Sequence, residues 1–136
     1  MKISQKKIKN YYRFLKALRS HSEFSSEYPP YVGVETTAIC NLKCNKCPVG
    51  RERLVKPDNK FMDMKLYYKI IDEIKDYSLS VCISYFGEPL INPRFFEYVK
   101  YAKNQKLMVS FYSNGIALNE HITEKIIRHE VDNIAF

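Results

Sequence analysis

Short apolar runs alternate along this chain with longer amphipathic segments, and that alternation constrains the fold more than any other feature. Tyr31-Val32-Gly33-Val34-Glu35, Val81-Cys82-Ile83-Ser84-Tyr85, Leu107 to Tyr112 and Asn133 to Phe136 read as strands, being short, apolar and rich in β-branched or aromatic residues. Three segments of helical period separate them. Asp63 can cap a helix in which Leu66, Ile70 and Ile74 share one face, with Tyr67 and Ile71 beside them. Asn92-Pro93 places a cap and a first-turn proline ahead of a helix lined by Phe95, Phe96, Val99 and Ala102. Asn119 can cap a third helix, carrying Ile122, Ile126 and Ile127. Strands joined through helices pair as parallel neighbours with crossover connections, so the order strand-helix-strand-helix-strand-helix-strand predicts an α/β fold on a parallel sheet. The apolar helix faces are most simply its core.

Ahead of this array, Ile8, Tyr11, Tyr12, Leu15 and Leu18 recur at helical spacing among basic residues, and residues 5–19 read as a basic amphipathic helix. Its stripe is expected to pack on the domain while its lysines face water; a membrane surface or RNA is the alternative partner for it. Tyr28-Pro29-Pro30 then breaks any helix, so residues 1–28 are expected to form a basic helix and linker and residues 29–136 the core. The net charge of +7 has a local origin: residues 1–20 carry Lys2, Lys6, Lys7, Lys9, Arg13, Lys16 and Arg19 with no acid, and the rest of the chain balances. That argues against nucleic acid as the partner of the whole domain. No apolar run is long enough to form a transmembrane segment, and the N-terminus lacks the apolar stretch of a signal peptide. Four cysteines, three of them clustered, do not resemble a secreted disulfide framework, so a reduced, cytoplasmic compartment is expected.

In parallel α/β barrels, ligand chemistry collects at the C-terminal ends of the strands. Three motifs fall there in register. After the first strand comes Cys40-Asn-Leu-Lys-Cys44-Asn-Lys-Cys47-Pro48, with three thiols inside eight residues. So short a loop can turn all three sulfurs toward one point, and gathered thiolates indicate zinc or an iron–sulfur centre. A structural zinc site takes four ligands, usually from two close pairs of cysteines, and no fourth lies nearby here. A zinc knuckle and incidental cysteines are the plain alternatives. Gly87-Glu88-Pro89-Leu90 follows the second strand and Ser113-Asn114-Gly115 the third. Gly87 permits close backbone approach to a ligand, Pro89 fixes the chain without an N–H, and Ser113 and Asn114 offer a hydroxyl and an amide. Cys82 lies on a strand roughly 16 Å below the loop ends at about 3.3 Å per residue, and reads as a buried free thiol rather than a fourth ligand. His121 and His129 sit on a polar helix and His21 in a polar loop; all three are expected to be exposed and without a role. Pro57-Asp58-Asn59 marks a turn.

The spacing C-x3-C-x2-C, taken with the two further motifs, resembles the radical S-adenosylmethionine (radical SAM) superfamily over about residues 31–136. The likeness is to the N-terminal part of the core domain, of the kind found in peptide-modifying and molybdenum-cofactor enzymes. It implies a partial parallel (β/α) TIM-like barrel. It also implies that Cys40, Cys44 and Cys47 ligate a 4Fe–4S cluster whose open iron is chelated by S-adenosylmethionine. Gly87, Glu88 and Pro89 resemble the family's Gly-Gly-Glu-Pro motif for the methionyl amine, and Ser113 and Asn114 match polar residues that face the ribose. Two positions depart from the pattern: Phe86 stands where the first glycine is usual, and Lys46 where an apolar or aromatic residue often precedes the last cysteine.

By this resemblance the reduced cluster donates one electron to S-adenosylmethionine. The C5′–S bond then breaks, and the 5′-deoxyadenosyl radical takes a hydrogen atom from an unknown substrate, a peptide or a small molecule. An electron donor such as flavodoxin or ferredoxin is implied as a partner. Family cores have about six β/α units and this chain offers three plus a strand. It is therefore expected to be a truncated or split product that is inactive alone, or one that needs a complementary chain, or a cluster- or zinc-binding module without chemistry.

Overall fold

The computed structural model of the protein describes residues 3–21, 28–49 and 60–136. The expected turn at Pro57-Asp58-Asn59 lies outside them. Among the described residues there are four α-helices and four strands: α1 (Gln5–Arg19), β1 (Tyr31–Gly33), α2 (Met64–Ile74), β2 (Ser80–Cys82), α3 (Phe95–Asn104), β3 (Met108–Tyr112), α4 (Glu120–Arg128) and β4 (Asn133–Ala135). A 3-10 turn, Pro89–Ile91, stands between β2 and α3. The strands are all parallel and lie in the order β1-β2-β3-β4. Each right-handed crossover therefore steps the same way, which places α2, α3 and α4 on one face of the sheet, as in a barrel and unlike a doubly wound sheet. The architecture is an open four-stranded arc of a parallel (β/α) barrel.

Register explains which strand residues are buried. Val32, Val81 and Val109 pair across β1, β2 and β3, and Phe111 pairs with Ile134, all on the helix side. Val34, Ile83 and Phe111 extend that face into the core, where Tyr67, Ile71, Phe95, Tyr98, Val99, Ala102 and Leu107 meet them. The opposite face carries Gly33, Cys82, Ser110 and Asn133 in one cross-strand layer. It is a small and polar layer, unlike the branched apolar layers that fill a closed TIM barrel. Cys82 is accordingly half-buried rather than buried, since its side chain points away from the helices, and its Sγ lies 3.4 Å from the Ser84 carbonyl oxygen.

Two of the three expected caps form as read. The Asp63 carboxylate accepts from the N–H groups of Lys65 and Leu66, and the Asn119 side chain accepts from Ile122 N–H. Helix α3 instead begins at Phe95, and Asn92 caps the turn before it by accepting from Arg94 N–H at 2.9 Å. Ile71, Phe95, Val99, Ala102 and Ile126 face the core as expected, and two expected residues do not. Leu66 is half exposed (50%) and Ile127 is 72% exposed, whereas Tyr67, Tyr98 and Ile126 point in. Tyrosine carries the packing because its hydroxyl finds a partner when buried: Tyr67 Oη donates to the Tyr98 carbonyl and Tyr98 Oη to the Met62 carbonyl.

Helix α1 spans the expected residues, but its apolar stripe docks only in part, through half-buried Tyr11 and Leu15. Ile8, Tyr12 and Leu18 are exposed, while Lys7 and Asn10 are buried beside half-buried Tyr11 and Phe14. These polar side chains satisfy carbonyls at the N-terminal ends of the strands. Asn10 Nδ2 donates to the Tyr28 and Tyr77 carbonyls, and Lys7 Nζ donates to the Lys106 carbonyl at 2.8 Å. Burial holds the Lys7 amine below its ordinary pKa. Helix α1 thus covers the end of the sheet opposite the motifs. His129 is only half exposed, its ring 5.0 Å from that of Phe96, and His121 and His21 are exposed.

Candidate functional site

The three loops after β1, β2 and β3 meet at the C-terminal edge of the sheet, and a chain of hydrogen bonds ties them together. Beyond β1 the backbone pairs briefly with residues that follow the cysteine loop: Thr37 bridges Phe61 in antiparallel fashion, Ala38 N–H donates to the Lys60 carbonyl, and Met62 N–H to the Thr36 carbonyl. This pairing closes the base of the cysteine loop. Within it Cys47 N–H donates to the Cys44 carbonyl, a turn that brings the second and third cysteines near each other in the chain path. Cys40 and Cys47 are half-buried, Cys44 is exposed, and all are free thiols.

The Gly-Glu-Pro loop is gripped from two directions. Glu35, just past β1, accepts with one oxygen, Oε1, from both Phe86 N–H (2.8 Å) and Gly87 N–H (2.9 Å). Glu88 N–H donates to the Ile39 carbonyl, immediately before Cys40. A Cβ at Gly87 would overlap the Thr37 carbonyl and come within 3.0 Å of the Ile39 carbonyl oxygen. Gly87 is thus required by the approach of the protein's own β1 loop, and Phe86 in the preceding position is tolerated because its side chain is exposed.

Glu88 joins this loop to the next. Its side chain is 2% exposed, with Oε1 accepting from Leu90 N–H and the Ser113 hydroxyl and Oε2 accepting from Asn114 N–H at 2.7 Å. The Ser113 hydroxyl also accepts from Gly115 N–H, so it is committed within the protein. Asn114 closes the ring: its Nδ2 donates to Asn41 Oδ1 at 2.8 Å and to Cys40 Sγ at 3.6 Å, while its Oδ1 accepts from Ile116 N–H. Asn92 braces the arrangement from below, donating to the Thr36 carbonyl and to Thr37 Oγ1. Tyr85, Phe86, Tyr112, Ile116 and Phe136 leave an exposed apolar rim around the mouth.

The loops that carry the eight motif residues lie together at one sheet edge, but the three cysteine sulfurs are not turned to one point as the short loop suggested. Sequence reasoning missed Glu35 and Asn41, and read Asn92 only as a cap and not as the brace on Thr36 and Thr37. A carboxylate ending an otherwise apolar strand and an asparagine between two cysteines were the available signals, but their partners are 52 and 73 residues away in sequence. Among the described residues no three His, Cys, Asp or Glu side chains are gathered closely enough to hold a metal ion. The donor chemistry fits an iron–sulfur centre all the same: three free, accessible thiols on one loop, with N–H groups of Leu42 and Asn114 aimed at the Cys40 sulfur.

Comparison with known proteins bears directly on this site. The family model for the radical SAM superfamily matches residues 34–136, from the end of β1 through all three loops. This chain belongs to the radical SAM superfamily. It is 28% identical over 109 residues to a cofactor-modifying protein of tungsten-containing aldehyde ferredoxin oxidoreductase from Pyrococcus furiosus, covering 78% of this chain and 30% of that protein. It is 32% identical over 98 residues to the AdoMet-dependent heme synthase of Methanosarcina barkeri, covering 72% and 28%. The chain thus spans under a third of the length of these curated relatives. Its fold is shared with BtrN, solved with AdoMet and 2-DOIA (TM-score 0.68, 20% identity, 79% of this chain and 45% of that one). It is shared also with Streptococcus suis SuiB (TM-score 0.61, 19% identity, 93% and 27%). Membership of this radical SAM family implies a 4Fe–4S cluster and S-adenosylmethionine as cofactors. No described helix is long and apolar enough to cross a membrane.

Proposed function

We propose that residues 29–136 carry the cluster- and S-adenosylmethionine-binding part of a radical SAM enzyme, with residues 1–28 as a basic helix and linker. The observation that supports this best is the hydrogen-bonded ring linking the cysteine loop, the Gly-Glu-Pro loop and the Ser-Asn-Gly loop at one sheet edge. Cys40, Cys44 and Cys47 would hold the cluster by their thiolates. Gly87 and Pro89 would present backbone to the methionyl end of S-adenosylmethionine, and Glu88 would act from within the protein by fixing their loop against Asn114. Ser113 and Asn114 would shape the ribose side.

When bound, these cofactors supply one electron and a 5′-deoxyadenosyl radical that removes a hydrogen atom from substrate. The protein's share is placement. Glu35 and Glu88 hold the loops in register before any ligand arrives, so little ordering remains to be done on binding. The small, polar layer of Gly33, Cys82, Ser110 and Asn133 leaves room on the inner face for a substrate, a peptide or a small molecule, beside the mouth. A flavodoxin or ferredoxin would deliver the electron.

The test is 5′-deoxyadenosine formation by anaerobically reconstituted, reduced protein with S-adenosylmethionine, beside a Cys44→Ala control. Product that disappears in the control supports the reading. Bound zinc in place of iron and sulfide after anaerobic purification would overturn it.

A further inference from the structure

We propose that Asn114 is a positioning residue for the metal centre, which it serves through a hydrogen bond from its carboxamide nitrogen to the Cys40 sulfur. This rests on the cluster reading above and adds a role to it. Asn114 is held at three points, two on the carboxamide and one on the backbone. Its Oδ1 accepts from Ile116 N–H at 3.0 Å, the residue's own N–H is fixed by Glu88 Oε2 at 2.7 Å, and one Nδ2 hydrogen is committed to Asn41 Oδ1 at 2.8 Å. The second Nδ2 hydrogen is thereby directed at Cys40 Sγ, 3.6 Å away. Leu42 N–H approaches the same sulfur at 3.4 Å. No corresponding donor to Cys44 or Cys47 is present among the described residues, so of the three sulfurs Cys40 is set apart.

The consequence follows from charge. A thiolate ligand carries negative charge, and a one-electron reduction of the centre adds more. N–H donors aimed at the sulfur offset that charge and favour the reduced form. The donor comes from the loop after β3, 74 residues along the chain, and is anchored through Glu88 to the Gly-Glu-Pro loop. A ligand that shifts either loop would therefore alter the bond to Cys40.

The experiment is a redox titration monitored by electron paramagnetic resonance on reconstituted wild-type protein, Asn114→Leu and Asn114→Asp, with iron and sulfide measured on each. Both variants should take up iron and sulfide as wild type does. The reduction equilibrium of Asn114→Leu should fall about tenfold, a midpoint lower by about 59 mV for one electron. Asn114→Asp should fall further, since it sets a negative charge beside the sulfur. Asn114→Asp keeps the shape of the side chain and its acceptor for Ile116, and carries the measurement should Asn114→Leu not fold. Unchanged midpoints in loaded variants would overturn the inference and leave the cluster reading standing. Wild-type protein that takes up no iron would overturn both.

Discussion

Replacing Glu88 by Gln probes how the site is held together, because the change keeps shape and removes only acceptor capacity. Three donors converge on this carboxylate: Leu90 N–H and the Ser113 hydroxyl on Oε1, and Asn114 N–H on Oε2. A carboxylate accepts at both oxygens, whereas an amide accepts at one and donates at the other. Turned one way, the Gln amide sets an NH2 against Asn114 N–H; turned the other way, against Leu90 N–H. Either orientation loses a charge-assisted hydrogen bond and leaves a buried donor unsatisfied, since Glu88 is only 2% exposed. A hydrogen bond to a charged group contributes about 1.5–3 kcal/mol and an unsatisfied buried group costs about 1–3 kcal/mol, so the expected loss is about 2–4 kcal/mol. For a chain of 136 residues that lowers Tm by about 8–16 °C, taking about 4 °C per kcal/mol. Thermal unfolding followed by circular dichroism reads it directly. A Tm within about 2 °C of wild type would show that Glu88 is not the brace between the loops, and the reasoning from acceptor count would fail.

Three further outcomes follow from the same structure. Gly87→Ala should unseat the Gly-Glu-Pro loop, because its Cβ would overlap the Thr37 carbonyl; retention of wild-type S-adenosylmethionine affinity by calorimetry would contradict this. Cys44→Ala should abolish iron and sulfide uptake on anaerobic reconstitution while changing Tm little, since Cys44 is exposed and outside the core; full iron content would remove it as a ligand. Burial raises the Tyr67 phenol well above its ordinary pKa of 10.0, so the neutral form is favoured in the folded state. The unfolded chain then loses this proton more readily, and stability present below about pH 10 is lost as pH rises further. Tyr67→Phe should flatten that alkaline slope in denaturant titrations, and an unchanged slope would refute the assignment.

Much of the fold was legible because its signals are local. Period-2 and period-3.6 runs mark strands and helices within windows of a few residues, and strands separated by helices leave parallel pairing as the available solution. Helix rotation was less legible. Leu66 and Ile127 look like core residues by hydropathy, yet Tyr67 and Ile126 occupy the inward positions, and a tyrosine is admitted to the core only where a carbonyl waits for its hydroxyl. The same holds for α1. Its apolar stripe is plain in sequence, but the docked face is chosen by carbonyls at strand starts that Lys7 and Asn10 can reach.

At the site, the residue types and spacing determined which loops carry chemistry: three thiols in eight residues after one strand, a Gly-Glu-Pro after the next, a Ser-Asn-Gly after the third. What the tertiary structure alone decided is how those loops hold one another. Glu35 meets Gly87, Glu88 meets Asn114, and Asn114 meets Cys40 across 52, 26 and 74 residues of chain. Such bonds depend on where the parallel register sets each strand end, and a pairing that spans one or two crossovers leaves no periodic trace in the sequence.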